Sequence, residues 1–240
     1  MIEKVSALAL RSFWLSPFSL ALSVTGFLLQ LVSSQALSAN PDSIEHPVAV
    51  LVVDVQACFV EGGSLAVPKA NSAYVQRVEN AIRTLKESGY LILGSRDYHP
   101  EGHSSFASAH PGKKPFDSIL LSSGRKQTLW PDHCVQTRGD SRALVDNNLF
   151  FELIKKGQNK AVDSYSVFAD DAGTPTELDP ILKTAHVKRL VVFGLATDFC
   201  VLATVLDAVK RGYSVVLVET LSLGITESGQ QRALAQMKEK

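Results

Sequence analysis

The chain has 240 residues, 45% of them hydrophobic, with 24 basic against 24 acidic side chains and a formal net charge of zero. That length suits one sizeable α/β core or two small ones, and the apolar content favours a packed globular protein over a disordered chain. With no block of like charges, the sequence lacks the electrostatic footprint of a nucleic-acid binder and points to small, weakly charged partners.

Residues 1 to 39 differ from the rest. Lys4 and Arg11 precede an apolar run from Phe13 to about Val32, and Ser34 and Ala36 follow in a signal-peptidase pattern. The segment is expected to be an export signal, placing the body in the periplasm or outside the cell, or a membrane anchor if uncleaved. Pro17, Gln30 and several serines weaken the anchor reading. A leader without function would leave the protein in the cytoplasm. The remainder, residues 45 to 240, has no second apolar run of that length and is expected to form a single domain.

The body opens with "HPVAVLVVDV", a valine-rich run ending in Asp54 that has the composition of a strand buried on both faces of a parallel sheet. "NSAYVQRVENAIRTLKESGY" has apolar residues at helical spacing and stops near Gly89; "LILGSRD" is a second strand, ending in Asp97. The next fifty residues are broken by Pro100, Pro111, Pro115 and Pro131 into loops. "LFFELIKK" reads as a third strand ending in Lys156. A helix from about Glu177 to His186, the strand "RLVVFGLA", a helix bearing Cys200, the strand "SVVLVETL" and a helix from about Glu227 complete the chain. This alternation predicts an α/β fold of three layers, α/β/α, around an open and mainly parallel sheet.

In such sheets ligands bind beyond the carboxyl ends of the strands. Asp54, Asp97, Lys156 and the "ATDFC" turn each end a different predicted strand, so their joint placement marks a site. If Thr197 or Asp198 caps its helix, Cys200 lies in the first turn, where unpaired N–H groups favour a thiolate. A lone cysteine is as readily a packing residue, and an acid and a lysine able to manage its proton decide for the nucleophile. Asp54, partly desolvated, suits a general base; Lys156 is preferred to Lys155, since adjacent strand residues face opposite ways.

Asp97 and His99 share a side of an extended segment, and His133 in "WPDHC" completes a set of two imidazoles and one carboxylate suited to one divalent metal: zinc, iron or manganese. His103 is a candidate fourth ligand, or a hydrogen-bonding neighbour of the set. His46, His110 and His186 read as structural or exposed. Cys58, Cys134 and Cys200 cannot all pair within one chain and match no zinc-finger spacing, so a disulfide framework is not expected.

Taken in order, "VVDVQACFVEGGSLAVP", "SRDYHPEGHSSFAS", "WPDHCVQ", "KKGQNKAVDSYSVF" and "GLATDFCVLATVLDA" resemble the nicotinamidases of the isochorismatase-like cysteine hydrolases. The resemblance implies a Rossmann-like α/β/α fold, Cys200 as nucleophile, Asp54 as base, Lys156 as the third catalytic residue, and Asp97, His99 and His133 as metal ligands. It also implies a cis peptide between Leu195 and Ala196, an oxyanion hole from the backbone N–H groups of Ala196 and Cys200, and a pyridine slot lined by Phe59, Trp130 and Tyr165. The implied reaction takes nicotinamide to nicotinate and ammonia through a thioester. Alternatives are another amide hydrolase of the superfamily, acting on pyrazinamide-like or carbamoyl substrates, and a non-catalytic, metal-dependent pyridine-binding protein. A homo-oligomer is left open. The family commonly has "DVQNDF" where this chain has "DVQACF"; Ala57 and Cys58 therefore alter local loop contacts, and Cys58 lies near enough to the site to form an adventitious disulfide.

Overall fold

The computed structural model describes residues 2–4, as backbone, together with 47–121 and 124–240. Apart from residues 2–4, the expected export signal or anchor over 1–39 lies outside the described residues. Among them, no helix is long and apolar enough to cross a membrane.

The elements follow in chain order as β1 (Ile2–Lys4), β2 (Val48–Val53), α1 (Ser72–Glu87), β3 (Leu91–Asp97), β4 (Ser118–Leu120), β5 (Lys126–Thr128), β6 (Glu152–Lys156), α2 (Leu178–Thr184), β7 (Arg189–Leu195), α3 (Leu202–Lys210), β8 (Ser214–Leu223) and α4 (Glu227–Lys238). The main sheet has the order β1-β8-β7-β2-β3-β6, and its pairings are all parallel. β4 and β5 form a separate antiparallel ribbon inside the region expected to be loops.

Strand alternation divides the core in two. Val50 and Val52 pack with Tyr74, Val78, Ile82 and Leu85 of α1. Ala49, Leu51 and Val53 face the other way, toward Leu178 and Leu182 of α2, Val205 and Ala208 of α3, and Leu234 and Met237 of α4. β2 is thus apolar at every position because both of its faces are covered, and the result is the expected three-layer arrangement. α1 begins where the Asn71 side chain accepts the Tyr74 N–H at 3.0 Å, satisfying a donor the helix itself leaves open.

The third strand is shorter than the sequence suggested. Leu149 belongs to a 3-10 turn, Asn147–Leu149, closed by the Asp146 carboxylate accepting the Asn148 N–H, and β6 starts only at Glu152. Because β6, among the described residues, pairs with β3 alone, it alternates between exposed and buried residues instead of running continuously apolar.

The chain order reverses between β2 and β7: from β2 it proceeds to β3 and β6 on one side and to β7 and β8 on the other. A crevice opens at such a switch point beyond the carboxyl ends of the strands. Asp54 follows β2 there, and the Cys200 turn follows β7.

Candidate active site

At the end of β2 the backbone of Asp54 turns into the left-handed region, φ +49°, uncommon for a residue with a Cβ, and its carboxylate is fully buried. Asp97 ends β3, and Lys156 ends β6 directly opposite it in register. Lys156 and Ile154 face inward while Lys155 faces out, its ammonium 5.2 Å from the centre of the Tyr98 ring; alternation selects Lys156 as expected.

Lys156 Nζ is the hub. It donates to Asp97 Oδ1, to the Ser164 carbonyl at 3.0 Å and to Cys200 Sγ at 3.3 Å, and it ion-pairs with Asp54 Oδ2 at 3.0 Å. Asp54 Oδ1 accepts from Ser95 Oγ at 2.7 Å. Cys200 Sγ and a carboxylate oxygen of each aspartate lie within 4.8 Å of one another. The three predicted catalytic side chains therefore meet, although they stand 44 or more residues apart in the chain, the Lys156 to Cys200 interval being 44.

Their charge states follow from burial. Desolvation raises Asp54 from 3.8 to about 6 against the pull of Lys156. Asp97 is also desolvated, but Lys156 and the nearby imidazoles outweigh that and hold it well below the usual carboxylate range. Burial lowers Lys156, yet Asp54 and Asp97 outweigh it and keep the ammonium charged. Cys200 is pushed up by burial, more than Lys156 can offset. The thiol is thus neutral at rest and needs a base to take its proton before it can attack.

The backbone at the nucleophile differs from the expected capped helix start. Thr197–Val201 form a π-helical turn running into α3, its cap is Ala196, and no side chain caps it. Neither Thr197 nor Asp198 does so. The Asp198 carboxylate instead accepts the backbone N–H groups of Ile225 at 2.9 Å and Thr226 at 3.2 Å, tying the β8–α4 connection to the nucleophile turn. The Leu195–Ala196 peptide is cis, as the resemblance implied.

Asp97, His99 and His133 converge beside the triad, all buried. His99 Nδ1 lies 3.0 Å from the Gly157 carbonyl and His133 Nδ1 lies 2.8 Å from that of Pro131. A carbonyl can only accept, so each Nδ1 carries the proton and each Nε2 lone pair is left for the interior. Those Nε2 atoms stand 3.7 and 3.9 Å from Asp97 Oδ2, beyond hydrogen-bond reach but facing a common point. One carboxylate and two imidazoles so arranged fit a divalent ion. His133 is pushed down to about 4 by burial and by His99, so it is a neutral donor at ordinary pH. In His99 the Asp97 carboxylate outweighs burial and raises the pKa. His103 spends both ring nitrogens on the protein, on Ser105 Oγ at 2.7 Å and the Val162 carbonyl at 3.1 Å, and its ring packs 4.4 Å from that of His99; it buttresses the cluster and does not join it.

A cavity of about 350 Å³, counted to its open mouth, joins Cys200 to the cluster of Asp97, His99 and His133. Phe59, Trp130 and Tyr165 line it as expected, together with Ala196, Cys200, Asp97, His99 and His133. Trp130 Nε1 donates to Tyr165 Oη at 3.0 Å, fixing two of these rings. The sequence reading missed Phe199, Ile225, Leu65 and Asp163, which also line the cavity, and Gln56, whose amide holds both the N–H and the carbonyl of Asp97. Phe199 sits within the turn already singled out and Gln56 two residues past Asp54, so position gave a signal; Leu65 and Ile225 carried none.

A disulfide joins Cys58 to Cys134, with Cα atoms 5.4 Å apart, and Cys200 is the free thiol. A single pair among three cysteines is not a disulfide framework, and it engages Cys58, the cysteine the sequence placed near the site.

The model of the isochorismatase domain family matches residues 48–240. The nicotinamidase of Escherichia coli is 40% identical over 195 residues, which cover 80% of this chain and 90% of that protein. A solved nicotinamidase and pyrazinamidase of Acinetobacter baumanii is 36% identical with a TM-score of 0.73, over 81% of this chain and 93% of the other. The pyrazinamidase of Pyrococcus horikoshii, solved in complex with zinc, is 36% identical with a TM-score of 0.67, over 80% and 95%. With the family model matching most of its length, the chain belongs to the isochorismatase domain family.

Proposed function

We propose that the protein is a nicotinamidase, a cysteine amidohydrolase that converts nicotinamide to nicotinate and ammonia through a thioester. The observation that carries this reading is the meeting of Cys200, Asp54 and Lys156 with the Asp97, His99 and His133 cluster on one small cavity walled by aromatic rings. The similarity to the Escherichia coli nicotinamidase supports the substrate class.

Nicotinamide enters with its ring along Phe59 and Trp130 and its carboxamide toward Cys200. Asp54 accepts the thiol proton as sulfur attacks the carbonyl carbon, so the thiolate forms only as the new bond does. The oxyanion is held by the N–H groups of Ala196 and Cys200, both residues lining the cavity. Lys156 remains protonated and balances the negative charge that passes between sulfur and carboxylate. Asp54 returns its proton to the leaving nitrogen, ammonia departs, and the thioester remains. Water then gives a proton to Asp54 and attacks the acyl carbon. As the C–S bond breaks, Asp54 passes that proton to the departing sulfur, restoring thiol and carboxylate, and the acid product leaves as nicotinate after losing its proton to solvent. A divalent metal held by Asp97, His99 and His133, of which zinc fits the donor set, would supply Lewis acidity toward the pyridine nitrogen or toward water. Simple capture of a pyridine would need no buried cysteine, acid and lysine in contact.

For residues 1–39 we keep the reading of an export leader; a buried disulfide is the kind of bond an oxidising compartment preserves.

The test is ammonia release from nicotinamide by purified protein. Cys200→Ala is expected to abolish turnover while bound zinc, measured by elemental analysis, is unchanged. Substantial turnover by that variant would refute covalent catalysis.

A further inference from the structure

We infer that the Cys58–Cys134 disulfide is a positioning cross-link for the metal-ligand cluster, holding the His133 loop against the Phe59 wall of the substrate cavity so that its loss speeds release of the metal. The inference rests on reading Asp97, His99 and His133 as the metal ligands.

Each half of the bond adjoins a site residue. Cys58 precedes Phe59 in the short 3-10 turn Ala57–Phe59, and Cys134 follows His133 directly. The two rings so flanked, Phe59 and His133, stand 5.5 Å apart. Both cysteines are fully buried.

Cys134 also adopts φ +48°, left-handed backbone in a residue that has a Cβ. The chain thus turns sharply just after His133, and the Cys134 carbonyl accepts the His99 N–H at 3.1 Å. One residue therefore links two of the three ligands through its backbone while its sulfur reaches the loop after β2. The His133 loop has no helix or strand of its own: Trp130 is held by donating its N–H to the Ser105 carbonyl at 2.8 Å, and Gln136 by donating to the His99 carbonyl at 2.9 Å. The disulfide is the covalent tie between this loop and the other wall of the cavity. Two separate thiols cannot occupy the space of one bonded pair, and in a site with no exposure the displacement passes to the loops themselves, and so to His133 and Phe59.

A bond closing an interval of 76 residues could instead act only as a global staple on the unfolded chain. The two roles separate experimentally. The full chain, prepared oxidised, is loaded with zinc and challenged with a chelator while release is followed by a zinc-sensitive dye. The double variant Cys58→Ala/Cys134→Ala is expected to release zinc at least about tenfold faster, in line with other losses of support behind a metal ligand. Its KM for nicotinamide, assayed in excess zinc, should rise more than its kcat falls. A variant with a lower Tm but an unchanged release rate and KM overturns the proposal, as does peptide mapping that finds no Cys58–Cys134 bond in the oxidised protein. If the variant fails to fold, folded zinc-loaded wild type is reduced with a water-soluble phosphine. Phosphorus takes the oxygen of one water as the S–S bond breaks and two thiols form, and unchanged zinc release after that treatment again overturns it. A disulfide-intact wild type that binds no zinc sinks the metal reading itself, an outcome distinct from equal retention by the two proteins.

Discussion

Gly157 has φ +68° and lies so close to His99 that an added Cβ would collide with Cε1 and Nδ1 of the ring. Its carbonyl also accepts the His99 Nδ1 proton, so one residue sets both the place and the tautomer of a ligand. Gly157→Ala is expected to weaken zinc binding about tenfold to a hundredfold, measured by competition titration, with about 1 kcal/mol of added backbone strain. Asp54 shows how burial sets function at the same scale. A base raised to about 6 is ionised at pH 7 and protonated below 6. The plot of kcat/KM against pH should therefore fall on its acidic side with a midpoint near 6, by about tenfold per unit beyond it; a profile flat down to pH 5 would remove Asp54 as the base. The sequence showed Asp54, Asp97 and Lys156 as polar ends of apolar strands, and that was enough to nominate them. It did not show the state of Cys200, because desolvation is a sum over everything that surrounds the sulfur.

Among the elements, the connection from β7 into α3 carries the most consequence. Gly194 in β7 has φ +134°, and a Cβ there would run into the Val53 carbonyl, so β7 and β2 approach closely just before their two catalytic turns. Apolar strand followed by helical period located this connection in the sequence. The role of Asp198 did not follow from it: a residue at a helix start is ordinarily a cap, yet here its carboxylate takes the N–H groups of Ile225 and Thr226. Asp198→Ala leaves both donors without that charged acceptor. It is expected to cost about 2 kcal/mol in urea unfolding and to raise KM through the freed Ile225. Asp198→Asn, which keeps an acceptor oxygen, should recover part of both. The β4–β5 ribbon escaped notice because two three-residue strands, SIL and KQT, are too short to show a period.

Across the whole molecule, four strands deliver their ends to one point, and Lys156 is the cation that makes the arrangement tolerable. Without it Asp54 and Asp97 would face each other in a dry site. Lys156→Ala is expected to abolish turnover and to destabilise the fold by about 3 kcal/mol or more at neutral pH. The sign of its pH dependence is set by Asp54: its folded pKa lies above the unfolded value, so its ionised form opposes folding as pH rises through the window from 3.8 to about 6. Removing Lys156 raises that pKa further. The gap in Tm between wild type and Lys156→Ala should consequently narrow as pH falls from 7.5 to 5; a constant gap would mean that Lys156 does not hold the aspartates ionised.

The sequence by itself determined the class of fold, the order of its elements and the residue types at the strand ends. Each of these is written in local periodicity and in short motifs such as WPDHC and ATDFC. Tertiary structure alone decided the order of strands in the sheet, and hence the switch point where Asp54 and Cys200 meet. It also decided which two of three cysteines pair, where the Asp198 carboxylate turns, and that the resting thiol is neutral. Those outcomes depend on contacts between residues far apart in the chain and on the water they exclude, and neither is encoded in any stretch short enough to read alone.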